Sequence, residues 1–158
     1  MEGKYSRELI EPGRWHVSVA MLRITTEEGI ATARRVMQDF NNLGLGAGGL
    51  PKVTFQGVGE FQKGRVAFVT VAEGDEEPLV AFISTVRARL TEAGVHVLPD
   101  EIHPHLTVAK HRGEGKNVNM LDLRNFHHAV FGTQAVTSLD LCSHFLPKSP
   151  ETGYYWSF

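Results

Sequence analysis

Two four-residue stretches set the terms for this chain: His16-Val17-Ser18-Val19 and His105-Leu106-Thr107-Val108. Each reads histidine, apolar, hydroxyl, apolar. On an extended strand alternate side chains share a face. His16 and Ser18 are therefore expected on one side with Val17 and Val19 on the other, and His105 and Thr107 likewise oppose Leu106 and Val108. Two such strands brought together would present two imidazoles and two hydroxyls on a polar surface with an apolar underside. Two imidazoles can divide general-base and general-acid work, and two hydroxyls can hold the oxygens of a phosphoryl group.

The remaining pattern reads as the scaffold that joins them. Residues 14–23 alternate as a strand, with Trp15, Val17, Val19 and Met21 on one face. Thr25-Thr26-Glu27-Glu28 is a helix start, a hydroxyl cap followed by acids. Ile30, Ala33, Val36, Met37 and Phe40 then recur at helical spacing, and Asn41-Asn42-Leu43-Gly44 closes the helix. Residues 44–49 hold four glycines with no strand before them and no Lys-Ser/Thr after, which predicts a flexible loop and not a phosphate cradle. Residues 52–58 and 65–72 read as a hairpin. Residues 76–93 form a second amphipathic helix, with Leu79, Phe82, Ile83, Val86 and Leu90 inward, Arg87, Arg89 and Glu92 toward water, and Gly94 as its terminal cap. A short strand at 95–98, the motif strand at 105–110 behind Pro104, a polar loop at 112–119 and a short helix at 120–128 follow. A long strand at 134–145 and a last aromatic strand at 153–158 complete the chain, joined by the turn at 147–150.

The order is β-α-β-β-α-β, then a helix and two strands. The motif histidines lie 89 positions apart (105 minus 16), too far for a solenoid repeat and suited to pseudo-twofold duplication. The expectation is a single domain over 1–158 with two lobes, an α+β fold of mostly antiparallel sheets around a central cleft with helices outside.

The net charge of −2 and pI near 6.4 argue against a duplex DNA footprint, and leave room for a nucleotide or a short RNA in a local pocket. Cys142 is the sole cysteine, so no internal disulfide forms. No apolar run approaches membrane-spanning length and no secretory leader is evident, so no membrane partner is expected. A cytoplasmic location is the default, with a nuclear one compatible.

Eight histidines demand that other pairings be weighed. His103-Pro104-His105 with His111, or Cys142 with His144, could offer metal ligands, but neither has a zinc spacing, and no metal or cofactor is expected. His96, His127 and His128 read as surface residues. Cys142 sits among apolar neighbours and reads as core, not as a nucleophile. Lys110 could meet a phosphate or be a solvated strand end. Phe55, Phe61, Tyr154, Tyr155 and Trp156 could stack on a base or pack in the core, with Tyr155 expected to oppose its two neighbours. A lone strand histidine is usually an ordinary satisfied residue; what raises the catalytic reading is the matched pair.

These residues resemble the 2H phosphoesterase superfamily, whose signature is a pair of His-x-Thr/Ser-x motifs in a bilobal fold. Residues 53–61, Val-Thr-Phe-Gln-Gly-Val-Gly-Glu-Phe, resemble the hairpin of its 2'-5' RNA ligase-like branch. Pro104-His105-Leu106-Thr107-Val108-Ala109-Lys110, Leu139-Asp140-Leu141-Cys142-Ser143 and Gly153-Tyr154-Tyr155 are similar to the central domain of the A-kinase anchoring proteins, and equally to the C-terminal domain of leukocyte receptor cluster member nine. The similarity covers residues 14–158. Ser18 stands where threonine is commoner, with the hydroxyl kept. The resemblance implies a metal-independent phosphodiesterase site. His16 and His105 would flank a phosphate held by Ser18 and Thr107, one imidazole taking the proton of an attacking 2'-hydroxyl or water and the other protonating the leaving oxygen. It implies 2'-5' linkages, 2',3'-cyclic phosphates or nucleoside monophosphates as ligands, with Lys110, Phe55 and Tyr155 as candidate nucleotide contacts. A sensor that binds nucleotide with little turnover is the alternative. Other domains of a longer parent protein remain open partners, and no segment matches the kinase-subunit-binding helix of the anchoring proteins.

Overall fold

The computed structural model describes residues 5–42, 52–111, 113 and 117–158. The glycine-rich stretch 44–49 lies outside the described residues, as does part of the loop at 112–119. The elements in chain order are β1 (Leu22–Arg23), α1 (Glu27–Asn42), β2 (Lys52–Phe61), β3 (Val66–Val71), α2 (Glu73–Glu92), β4 (His96–Val97), β5 (His105–Lys110), α3 (Met120–Leu123), β6 (Val130–Ala135), β7 (Cys142–Ser143) and β8 (Trp156–Ser157).

One four-stranded sheet in the order β5-β3-β2-β6 dominates, and β1-β4 and β7-β8 form two-stranded ribbons. Every registered pairing among the described residues is antiparallel. The expected α+β architecture of antiparallel sheets is borne out. Helix α2 buries Leu79, Ile83, Val86 and Leu90, the stripe its spacing requires. Leu79 and Ile83 pack with Val53 and Val71 of the sheet, while Val86 and Leu90 pack with Ala33 and Met37 of α1. Fully burying one such aliphatic side chain is worth about 1.5–3 kcal/mol, so this stripe fixes the helix on the sheet.

The caps follow their chemistry. The Thr26 hydroxyl accepts the Gly29 amide at 3.1 Å, which starts α1. Gly94 at φ 86° ends α2, its amide bonding the Thr91 carbonyl and that of Val95 bonding Leu90, the paired bonds of a Schellman turn.

Four expectations need correction. Of the strand expected at 14–23, only Leu22–Arg23 is laddered; residues 15–21 belong to no strand. Arg87, expected to face water, reaches this segment instead: its Nε donates to the Val19 carbonyl at 2.9 Å and its Nη1 to that of Asp100 at 2.6 Å. An arginine satisfies that backbone in place of a neighbouring strand. The strand expected at 134–145 is instead two pieces, Val130–Ala135 paired with β2 and Cys142–Ser143 paired with β8. The last strand shrinks to Trp156–Ser157, opposite Cys142–Ser143.

Candidate active site

The two motif histidines share one local geometry. His16 Nδ1 lies 2.9 Å from the Arg14 carbonyl, and His105 Nδ1 lies 2.7 Å from the His103 carbonyl. In each the partner is two residues upstream. A carbonyl oxygen only accepts, so each Nδ1 carries the proton. The neutral imidazole is thereby fixed as one tautomer with Nε2 as the free nitrogen. At both motifs, Nε2 is the atom available to take a proton, or to give one when the ring is charged.

Around His16 the site is aromatic. Its ring meets Tyr154 at 5.9 Å and Tyr155 at 5.4 Å between centroids, both edge-on. These two tyrosines are adjacent in sequence and were expected on opposite faces. Both reach His16 because residues 153–155 leave the strand that would force alternation. His16, Ser18, Phe55, His144, Tyr154 and Tyr155 all line a cavity of about 1640 Å³. Burial drives the Tyr154 phenol up to about 12, aided by its neighbour Cys142, and burial also pushes the Cys142 thiol up. Both stay neutral at ordinary pH, so neither adds an anion beside His16.

Around His105 the surroundings differ. Its ring sits 5.1 Å from Phe61 and 5.0 Å from Phe68, which themselves stack at 4.3 Å. His103 joins the same group, 6.3 Å from His105. Thr107 stands opposite Phe68 in the ladder and His105 opposite Thr70, so both hydroxyl and imidazole lie on that face of β5. Leu106 faces the other way and lines the cavity.

Lys110 shows what a bulge can do. Three positions from Thr107, simple alternation would turn it to the opposite face. The ladder pairs Ala67 with Ala109 and the next residue, Phe68, with Thr107, leaving Val108 as an extra residue on β5. The bulge restores Lys110, opposite Val66, to the face of Thr107.

The candidates thus fall into two groups. His16, Ser18, Phe55 and Tyr155 share the cavity; His105, Thr107 and Lys110 share the polar face of β5 and are not among the cavity's lining. The chain ties the groups together closely. The N-terminal segment runs along the edge of β5, with Ile10 N bonding the Val108 carbonyl at 2.8 Å and Lys110 N bonding the Glu8 carbonyl at 2.7 Å. Six residues later comes His16. At about 3.3–3.6 Å per residue the tether spans at most about 20–22 Å, and the 3₁₀ turn at Pro12–Arg14 shortens it further. Among the described residues no three His, Cys, Asp or Glu side chains cluster in a way that could hold a metal ion. From the sequence, His144 is weighed only as a metal ligand and Arg87 is placed toward water, while the His103 carbonyl carries no signal at all.

The pattern of this whole chain, residues 2–158, matches the AKAP7 2'5' RNA ligase-like domain. The chain belongs to that family. The crystal structure of E. coli LigT complexed with 3'-AMP superposes with a TM-score of 0.52 at 15% identity, over 75% of this chain and 64% of LigT. This chain therefore spans less than two thirds of LigT. A crystal structure described as a phosphoesterase aligns at a TM-score of 0.42 and 17% identity, over 70% of this chain and 64% of the other. No curated protein gives a significant match.

Proposed function

We propose that this member of the family is a metal-independent phosphodiesterase acting on 2'-5' linked oligonucleotides or 2',3'-cyclic phosphates. The observation that carries the reading is the matched tautomer: both motif histidines donate Nδ1–H to the carbonyl two residues upstream and keep Nε2 free. A neutral Nε2 removes the proton from the hydroxyl next to the phosphate, or from water in the cyclic case. The oxygen so freed bonds to phosphorus. The protonated Nε2–H of the other ring gives its proton to the oxygen whose bond to phosphorus breaks. Ser18 and Thr107 donate hydroxyl bonds to the non-bridging oxygens, where negative charge grows. The vicinal hydroxyl is already beside phosphorus, so positioning replaces much of what a metal would supply. The reading requires the two groups to meet across one phosphate, and the short tether from Ile10 to His16 supports that approach.

The test is turnover of 2'-5' linked oligoadenylate and 2',3'-cyclic nucleotides in the presence of chelator, for wild type, His16→Ala and His105→Ala. Each variant is expected to lose at least about 10²-fold, the usual worth of one acid or base. Wild-type rates in both folded variants would end the mechanism. A specific observation favours the sensor as second reading: a ligand confined to the cavity would meet His16 and Ser18 but not His105. Tight binding of a nucleoside monophosphate without any product from wild type would decide for it, and LigT offers a precedent in its 3'-AMP complex.

A further inference from the structure

The C-terminal ribbon, residues 141–158, holds more of His16 than a strand neighbour would. Its closing turn is set by Ser149, whose carbonyl accepts the Gly153 amide at 2.8 Å and whose amide bonds the Tyr154 carbonyl at 2.9 Å. Gly153 sits at φ 64°, and a Cβ there would lie 3.3 Å from the Arg14 side chain. Arg14 is the residue whose carbonyl takes the His16 Nδ1 proton. Next along the chain, Tyr154 and Tyr155 bracket the His16 ring and meet each other at 5.8 Å and 72°. The three rings form a closed set of edge contacts, a geometry that the aromatic quadrupole favours.

Tyr155 is itself held from elsewhere on the ribbon. His144 lies against it at 5.0 Å and 31°, and the Lys148 ammonium stands 4.7 Å from its ring centroid. A cation over a tyrosine ring is attracted to the π face. With His144 and Lys148 against its ring and its neighbourhood closed by His16 and Tyr154, Tyr155 has its contacts already assigned. That is unlike a ring left open to receive a base.

We propose that Tyr155, backed by His144 and Lys148, is a positioning residue that fixes the orientation and tautomer of the His16 imidazole, and is not a platform for the nucleobase. The ring wall stops His16 from rotating about its Cβ–Cγ bond, which keeps Nδ1 on the Arg14 carbonyl and Nε2 directed outward. The inference deepens the phosphodiesterase reading and rests on it only for its consequence in catalysis; the orientation itself is readable without turnover.

The experiment is histidine ¹⁵N–¹H correlation NMR on the full chain, at a pH where His16 is neutral, with assignment by His16→Gln. Wild type is expected to show His16 as the single Nδ1–H tautomer. Tyr155→Phe keeps the ring and is expected to keep that pattern. Tyr155→Leu, which retains bulk without a flat face, is expected to lose it, giving mixed tautomers, and His144→Leu is expected to shift it part of the way. An unchanged single Nδ1–H tautomer in folded Tyr155→Leu would overturn the proposal. Should Tyr155→Leu fail to fold, His144→Leu with an unchanged His16 pattern overturns it in the same way. If wild type turns over no substrate yet the tautomer responds as described, the catalytic reading fails while the positioning role stands.

Discussion

A histidine in a motif is only as useful as the proton it carries. The residue types at 16, 18, 105 and 107 were readable directly, because a repeated His-x-hydroxyl-x pattern is unusual. Which ring nitrogen works was not readable, because it depends on backbone carbonyls at Arg14 and His103 that any residue would supply. The same limit applies to glycine. Gly64 sits in the turn between β2 and β3 at φ 82°, and a Cβ there would clash with the Val118 carbonyl oxygen. Its amide also bonds the Glu60 carboxylate at 2.5 Å. Sequence marks Gly64 as one turn glycine among several, while the structure singles it out. Gly64→Ala is expected to destabilise by at least about 1–3 kcal/mol, the cost of a strained backbone position, with the clash at Val118 added. A chemical denaturation midpoint measured against wild type checks this, and an unshifted midpoint would mean the turn relaxes freely.

At the scale of elements, long periodic segments were legible and short pairings were not. The buried stripe of α2 and the hairpin of β2 with β3 followed from spacing, since a 3.6-residue or 2-residue rhythm over many positions has few other outcomes. The bulge at Val108 left no such rhythm, yet it decides which face Lys110 joins. Arg87 likewise looked like a solvent-facing arginine until the chain supplied carbonyls at Val19 and Asp100. The junction of sheet and helix carries a pH dependence. Asp75, in the first turn of α2, accepts the Thr54 amide at 2.7 Å. Hydrogen bonds from Thr54 hold its carboxyl below the ordinary carboxylate range. A depressed folded value means that the ionised form stabilises the fold. That contribution is fully present above about pH 4, the unfolded value, and is lost as pH falls through the lower folded value. Asp75→Asn is therefore expected to lower the melting temperature by a few degrees at pH 7, and to melt closer to wild type as pH drops toward 3. Thermal melts across that range check it; a constant gap would show that the loss is not electrostatic.

For the whole molecule, the decisive matter is how two half-sites come to serve one ligand. Composition and periodicity led to the fold class, and the paired motifs led to the family. Neither could show that the first motif lies outside the main sheet, held by Arg87 and by the C-terminal ribbon, because those contacts join residues 68 and more than 120 positions apart. The structure separates the surroundings of the two histidines, with tyrosines around His16 and phenylalanines around His105. It also limits their separation by the strap that pairs with β5 and leads within six residues to His16. A dianionic phosphate between the rings would favour their protonated forms, drawing both toward it, whereas a ligand kept in the cavity would reach one ring alone. Titrating ¹⁵N-histidine protein with 3'-AMP distinguishes these cases without depending on turnover. If the half-sites converge, the Nε2 resonances of His16 and His105 move together and fit one dissociation constant, and either histidine-to-alanine change weakens the response of the other ring. If only His16 responds, the cavity binds nucleotide by itself, and a two-histidine reaction on that phosphate is excluded.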